Sequence, residues 1–215
     1  MTVAEMALRI RQVYNETTAG FLADTTDIFD AMDSAQNQAI QLLLGKQRMM
    51  RMNIKDYIHP SLTPLRALDA SNTTTIGAGL QEYNLPSDFL EFYYAEYSTT
   101  NGGTKYPCAY MDFALAAKKN SLGYIGLKSP IAYIGAEKLG FYPQPSAAGA
   151  GNYAHYYFKQ PSAVADGTPD TEITLREETH EGIFNIAISD LYAKDKQYEL
   201  SAGALKKGIE LITKL

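Results

Sequence analysis

The sequence predicts an α+β fold: a helical bundle formed from N- and C-terminal helices with an inserted β-rich module. Three observations predict it. Apolar residues repeat at three and four positions through the first fifty residues and again through the last forty. Between them, from Asn53 to about Thr174, proline and glycine break the chain every few residues. The segments between those breaks are short and aromatic, as strands are. The expected domains are residues 1–60 with 176–215 for the bundle and 61–175 for the insertion.

The first helix runs from Thr2 to about Thr18. Val3, Met6, Ala7, Ile10, Val13, Tyr14 and Thr17 mark one face, and Gly20 ends the pattern. The second starts near Asp24, with Thr25 or Thr26 as N-cap and Asp27 and Asp30 at the end where the helix dipole favours negative charge. Ile28, Phe29, Met32, Ala35, Ala39, Leu42 and Leu43 form its stripe, which reaches about Met52.

Six strands are expected in the insertion: Leu65–Ala70, Leu80–Leu85, Phe89–Ser98, Ile131–Ile134, Leu139–Tyr142 and Tyr153–Lys159. Met111–Lys119 reads as one short helix, Asn101-Gly102-Gly103 as a turn and Ser146–Gly151 as a loop tip. In Leu85-Pro86-Ser87-Asp88-Phe89, proline fixes its own φ and extends the residue before it, and Ser and Asp favour a turn. That is a stiff corner between two strands.

A third helix opens at Thr179 or Glu177-Glu178, with Ile183, Phe184, Ala187, Ile188, Leu191 and Tyr192 inward. Gly182 is a weak point inside it. The last helix starts near Ser201, with Leu205, Ile209 and Ile212 in its stripe and Lys206, Lys207 and Lys214 exposed. Each helix shows a single apolar stripe, too narrow to be stable alone. The N-terminal pair therefore packs on the C-terminal pair, with Ile10, Val13, Leu42 and Leu43 sharing a core with Leu191, Leu205, Ile209 and Ile212.

Composition narrows the function. The 215 residues are 46% hydrophobic and 20% charged, enough for a substantial core in one large domain or two small ones. No apolar run is long enough for a transmembrane helix, and no basic n-region precedes an apolar segment, so neither membrane span nor signal peptide is expected. The net charge of −5 argues against bulk non-specific nucleic-acid binding. Sixteen tyrosines and no tryptophan suit either protein interfaces or a tyrosine-rich core.

Catalytic and metal signatures are missing from the sequence. His59, His155 and His180 have no ligand spacing and read as surface or capping residues. The single cysteine, Cys108, reads as a small buried apolar residue. Gly77-Ala78-Gly79 follows polar threonines, not a hydrophobic strand, so no nucleotide or other cofactor is expected. The acidic stretch Asp166–Glu181 reads as a solvated loop rather than a cation site. Lys46, Arg48, Arg51 and Lys55 contain no acid among them. They read either as a helix end favoured by the dipole or as a face for DNA phosphates or an acidic partner.

The order of these features resembles the head-to-tail adaptor proteins of tailed bacteriophages, the connector subunits beneath the portal. The residues that carry the resemblance are Leu85-Pro86-Ser87-Asp88-Phe89, Tyr142-Pro143-Gln144-Pro145 and Tyr157-Phe158-Lys159-Gln160-Pro161, between flanking amphipathic helices. The resemblance implies a virion protein at the head–tail junction, assembled in the host cytoplasm. It implies a homo-oligomeric ring, usually a dodecamer, with portal and tail proteins as partners and double-stranded DNA passing through the channel. No catalytic, metal or small-ligand residue carries over. The candidate interface is Lys46, Arg48, Arg51, Lys55, Pro86, Tyr93 and Tyr94, with the Pro86 corner setting the angle at which the module leaves the bundle. The alternative is a tyrosine-rich binding module for carbohydrate or peptide on a helical stalk.

Overall fold

In the computed structural model, α1 spans Val3–Val13, α2 Thr25–Arg51, α3 Phe113–Ser121, α4 His180–Lys194 and α5 Tyr198–Lys214. The strands are β1 Arg66–Leu68, β2 Glu82–Asn84, β3 Phe89–Ser98, β4 Tyr106–Pro107, β5 Ala109–Asp112, β6 Ile131–Gly135, β7 Lys138–Tyr142 and β8 Asn152–Lys159. The structure describes residues 1–14, 25–51, 57–69, 82–100, 103–144, 152–164 and 173–215. The expected turn at Asn101-Gly102, the loop tip Ser146–Gly151 and residues 166–172 of the expected acidic stretch lie outside the described residues. The chain forms two compact units: Met1–Leu65 with Pro161–Leu215, and Arg66–Gln160.

The first unit holds helices from both chain ends. Thr2 caps α1: its hydroxyl accepts from the Glu5 amide while the Glu5 carboxylate accepts from the Thr2 amide. Val3, Met6, Ala7 and Ile10 are buried at helical spacing. Along α2, Ile28, Met32, Ala35, Ala39, Ile40, Leu43 and Leu44 are buried on one side.

α4 departs from the expected single stripe. Gly182 to Ser189 is buried without a break, and Leu191 follows. The helix is covered on every side because α1, α2 and α5 all pack on it. Its outer partners need only one apolar face each. This arrangement also corrects the expected shared core. Ile10, Leu43, Leu191 and Ile212 are buried, but Val13 is 49% exposed and Ile209 36%, because each points off the face its helix turns to the core.

Gly182 is explained by α5. A Cβ on Gly182 would lie 2.5 Å from Ile212 Cδ1, and one on Gly208 would lie 2.9 Å from the Gly182 carbonyl oxygen. Two glycines thus let the helix backbones approach to a distance no side chain permits.

Two buried glutamines of α2 hold the chain where it leaves and re-enters this unit. Gln47 donates to the Tyr57 carbonyl and accepts from the His59 amide. Gln36 donates to the Ser162 carbonyl and accepts from the Thr174 amide. Asp33 adds a bond from the Val164 amide, 2.9 Å. These irregular segments have few backbone partners of their own, so side chains supply them.

The second unit is a pair of four-stranded sheets, ordered β1-β8-β3-β4 and β2-β7-β6-β5. Phe92, Ala95, Tyr97 and Tyr153 of the first sheet pack with Ala132, Leu139 and Phe141 of the second. Tyr97 stacks on Phe141 at 5.0 Å. Phe89, Phe92 and Ala95 lie three residues apart, a spacing that a regular strand would divide between two faces. Two register shifts against β8, at Phe89/Glu91 and Phe92/Tyr94, put all three on the inner side. β5 and β6 are parallel, joined through α3, whose Ala116 packs on Ile131, Tyr133 and Tyr142 on the second sheet's other face. Met111 and Asp112 belong to β5, so the expected helix begins later, with Asp112 as its N-cap.

The glycine contact makes a prediction. Alanine for glycine in an open helix interior gains up to about 1 kcal/mol, and at Gly203 no atom lies within 4 Å of the new methyl. Gly203→Ala should therefore raise the melting temperature. Gly208→Ala should lower it by an amount corresponding to about 1–3 kcal/mol, because backbone must move. Equal gains from both variants in thermal unfolding would refute the close approach.

Candidate partner-binding surfaces

The basic segment splits on the helix. Residues two apart on a helix point nearly opposite ways, whereas three apart share a face. Lys46 turns to α5, and its ammonium donates to the Thr213 carbonyl at 3.2 Å, satisfying a helix C-terminus. Arg48 is exposed and Arg51 half-exposed, one turn apart. Lys55 lies outside the described residues. Lys46 is thus turned to α5, whereas Arg48 and Arg51 share another face of α2.

Pro86 sits inside the β unit, which corrects the expectation that its corner sets the exit from the bundle. Leu85 to Asp88 links β2 of one sheet to β3 of the other. The corner is held by hydrogen bonds at Leu85, Pro86, Asp88 and Phe89. The Leu85 amide donates to the Glu137 carbonyl, the Phe89 amide to the Pro86 carbonyl and the Gln160 amide to the Asp88 carbonyl. The Asp88 carboxylate accepts from the Tyr157 hydroxyl at 2.8 Å, and burial, reinforced by this bond, raises the phenol pKa to about 12. The motif therefore fixes how two sheets meet. Beside it, Leu85, Pro86, Ser87, Phe89, Glu137 and Lys138 line a cleft of about 470 Å³.

Tyr93 and Tyr94 belong to an aromatic ladder on the first sheet. Tyr93 meets Phe158 at 5.6 Å and Tyr94 meets Tyr156 at 5.9 Å. The Arg66 guanidinium lies 5.7 Å from the Tyr93 ring and 5.8 Å from Tyr156. Both tyrosines are half-buried. The most exposed tyrosines are others: Tyr124 at 76% and Tyr198 at 67%.

The histidines, expected at the surface or as caps, take no surface position: all three are buried, and His59 caps the turn that follows it. His59 Nδ1 accepts from the Ser61 amide, and burial, with the charge of Lys46, lowers its pKa. His180 Nε2 lies 2.9 Å from the Leu175 carbonyl oxygen. His155 stacks on Phe92 at 5.6 Å and Tyr157 at 5.3 Å, and neither ring nitrogen has a hydrogen-bond partner. Burial pushes its pKa down to about 4. His155 is a packing element of the β unit, and His59 and His180 are buried in the helical unit. Cys108 is half-buried against the aromatic core, and burial raises its thiol pKa. Among the described residues no group of three or more His, Cys, Asp or Glu side chains could hold a metal ion, and no helix is long and apolar enough to cross a membrane.

One surface was absent from the sequence-based candidates. From Phe113 to Lys128 the β unit exposes Phe113, Leu115, Leu122, Tyr124 and Leu127. Lys118 and Lys128 are also exposed, and Lys119 is half-exposed. The signal was present: an apolar and cationic run with no acid in it. A short helix would be expected to bury those residues, but α3 docks through buried Ala116 and the Phe113 ring on Tyr133, leaving the rest outside.

Exposed apolar side chains beside cations are the kind of surface that marks a site for binding other proteins. The chain belongs to the SU10 adaptor protein family, a family of phage head–tail adaptors, whose model matches residues 1–212. No curated protein matches the chain. The family is one of phage structural adaptors and not of enzymes, and membership implies a virion component that meets portal and tail proteins.

Two outcomes follow from this geometry. Asp88→Ala should lower stability to urea by about 1–3 kcal/mol, because it leaves the buried Tyr157 hydroxyl without its charged acceptor; an unchanged midpoint would show that the corner does not hold the sheets. For His155, the folded pKa lies below the unfolded value of about 6.5, so the unfolded chain binds more protons between the two. The stability it contributes is fully present above about pH 6.5 and is lost as pH falls towards 4. The unfolding midpoint of His155→Phe should accordingly fall less steeply over that window than that of the parent protein.

Proposed function

We propose that the chain is the repeating subunit of a closed homo-oligomeric ring, a dodecamer, seated below the portal with tail proteins beneath it and DNA passing through its centre. The family match across residues 1–212 carries this reading. Separate exposed apolar surfaces on the two units support it. Leu8, Met49 and Tyr198 lie on the helical unit, and Leu122, Tyr124 and Leu127 on the β unit. A ring needs two different patches on each subunit, one for each neighbour. In this reading Arg48, Arg51 and Lys55 face the portal or the channel DNA, and Tyr93, Tyr94 and the Pro86 cleft belong to contacts made by the β unit.

The test is imaging and native mass spectrometry of the full chain, alone and mixed with its portal. A closed ring, on the portal or free, is expected. Arg48→Gln with Arg51→Gln should weaken portal capture by about tenfold at low salt, with a smaller loss at high salt, where screening already weakens the parent's contact. A monomer that never joins portal and binds glycans or peptides through the cleft beside Pro86 would overturn the ring in favour of a binding module on a helical stalk.

A further inference from the structure

The surface from α3 to Lys128 can be taken further, and the step rests on the ring reading. Leu115, Lys118, Lys119 and Leu122 fall at i, i+3, i+4 and i+7, along one face of a helix, while Ala116 beside them is buried. Beyond the helix the chain stays ordered by its own bonds. The Leu122 amide donates to the Lys118 carbonyl, Tyr124 to Lys119 and Ser129 to Gly126. Gly123, at φ 71°, makes the turn. Ile125 packs inward against the cluster around Ala116, and Pro130 is buried. Tyr124 and Leu127 are therefore presented, 76% and 64% exposed, on a framed loop. Presenting them on such a frame leaves little to be ordered on binding.

Charge identifies what fits there. Between Phe113 and Ser129 there are three lysines and no acid. The whole β unit, Arg66–Gln160, has seven basic and seven acidic residues. Of the chain's 19 basic and 24 acidic residues, the helical unit therefore holds twelve and seventeen, the entire net charge of −5. Two copies of this cationic face would repel each other, so a symmetric contact of the face with itself is disfavoured. A cationic apolar face against an acidic surface is complementary, and it joins unlike patches.

We propose that the surface formed by α3 and residues 122–128 binds the acidic helical unit of a second copy of this chain, and that this contact propagates the ring.

The experiment compares the full-length protein with Leu122→Glu/Leu127→Glu and with Tyr124→Ser, measuring self-association by sedimentation over a range of concentrations, free and on portal. Circular dichroism checks that each variant folds. Tyr124 is so exposed that its replacement leaves folding intact even if the double variant does not fold. The double variant should associate at least about tenfold more weakly, which corresponds to about 1.4 kcal/mol, and Tyr124→Ser should weaken association in the same direction. Salt should weaken the parent protein's association. Zero-length carbodiimide coupling in a mixture of isotopically light and heavy protein should join Lys118, Lys119 or Lys128 to carboxylates of residues 1–65 or 161–215 of another copy. A ring that forms with unchanged affinity in folded variants, or lysines that couple only within their own copy, overturns this contact and leaves the ring standing. A parent protein that stays monomeric both free and on portal overturns the ring itself. Binding of that monomer to phosphatidylserine vesicles, lost in Tyr124→Ser, would reassign the face to a lipid surface.

Discussion

α4 is buried on every side, and the helical unit is arranged around that requirement. From Gly182 to Ser189 even the polar side of α4, with Asn185 and Ser189, is buried, so the helix cannot rest on a sheet or against one partner. It must be surrounded, and α1, α2 and α5 do so with one apolar stripe each. The closest of these approaches is made possible by Gly182 and Gly208. Because α1 and α2 come from one end of the chain and α4 and α5 from the other, the unit forms only when segments more than a hundred residues apart meet. Long-range contacts of this kind carry the loop-closure cost that local helices avoid.

The same requirement explains the buried glutamines. Once a β unit interrupts a helical one, two irregular stretches of chain must cross the helical surface and still satisfy their backbone groups. Gln47 does this near Tyr57 and His59, and Gln36 near Ser162 and Thr174. Neither glutamine is a catalytic residue. Each is polar, fully buried and bonded at both ends of its amide, the condition under which burying such a group is tolerated.

In the β unit the controlling constraint is which face a side chain takes. Two bulges in β3 gather Phe89, Phe92 and Ala95 inward, and the Asp88–Tyr157 bond fixes the corner that carries the chain between sheets. With these in place α3 lays the Phe113 ring on Tyr133 and fills the interior with Ala116. The larger side chains after it stay outside, and an adaptor with exposed apolar surface is built to be completed by other proteins.

The sequence by itself determined the kinds of element and their order. Val3, Met6 and Ile10 mark a helix because 3.6-residue periodicity is visible within eleven residues, and the proline-bounded aromatic runs mark strands for the same local reason. The Leu85–Phe89 corner was legible because proline fixes φ without help from any neighbour. What only the tertiary structure decided is which faces are covered. Val13 and Ile209 sit in plausible stripes and are exposed, His155 looks like a surface residue and stacks inside an aromatic core, and Lys46 turns away from Arg48 to meet the last turn of α5. The Pro86 corner, legible as a turn, acquired its role only when β2 and β3 joined different sheets. Periodicity is set by the geometry of one segment. Burial is set by what a second segment, distant in the chain, brings against it, and for Gly182 that partner lies twenty-six residues further on, at Gly208.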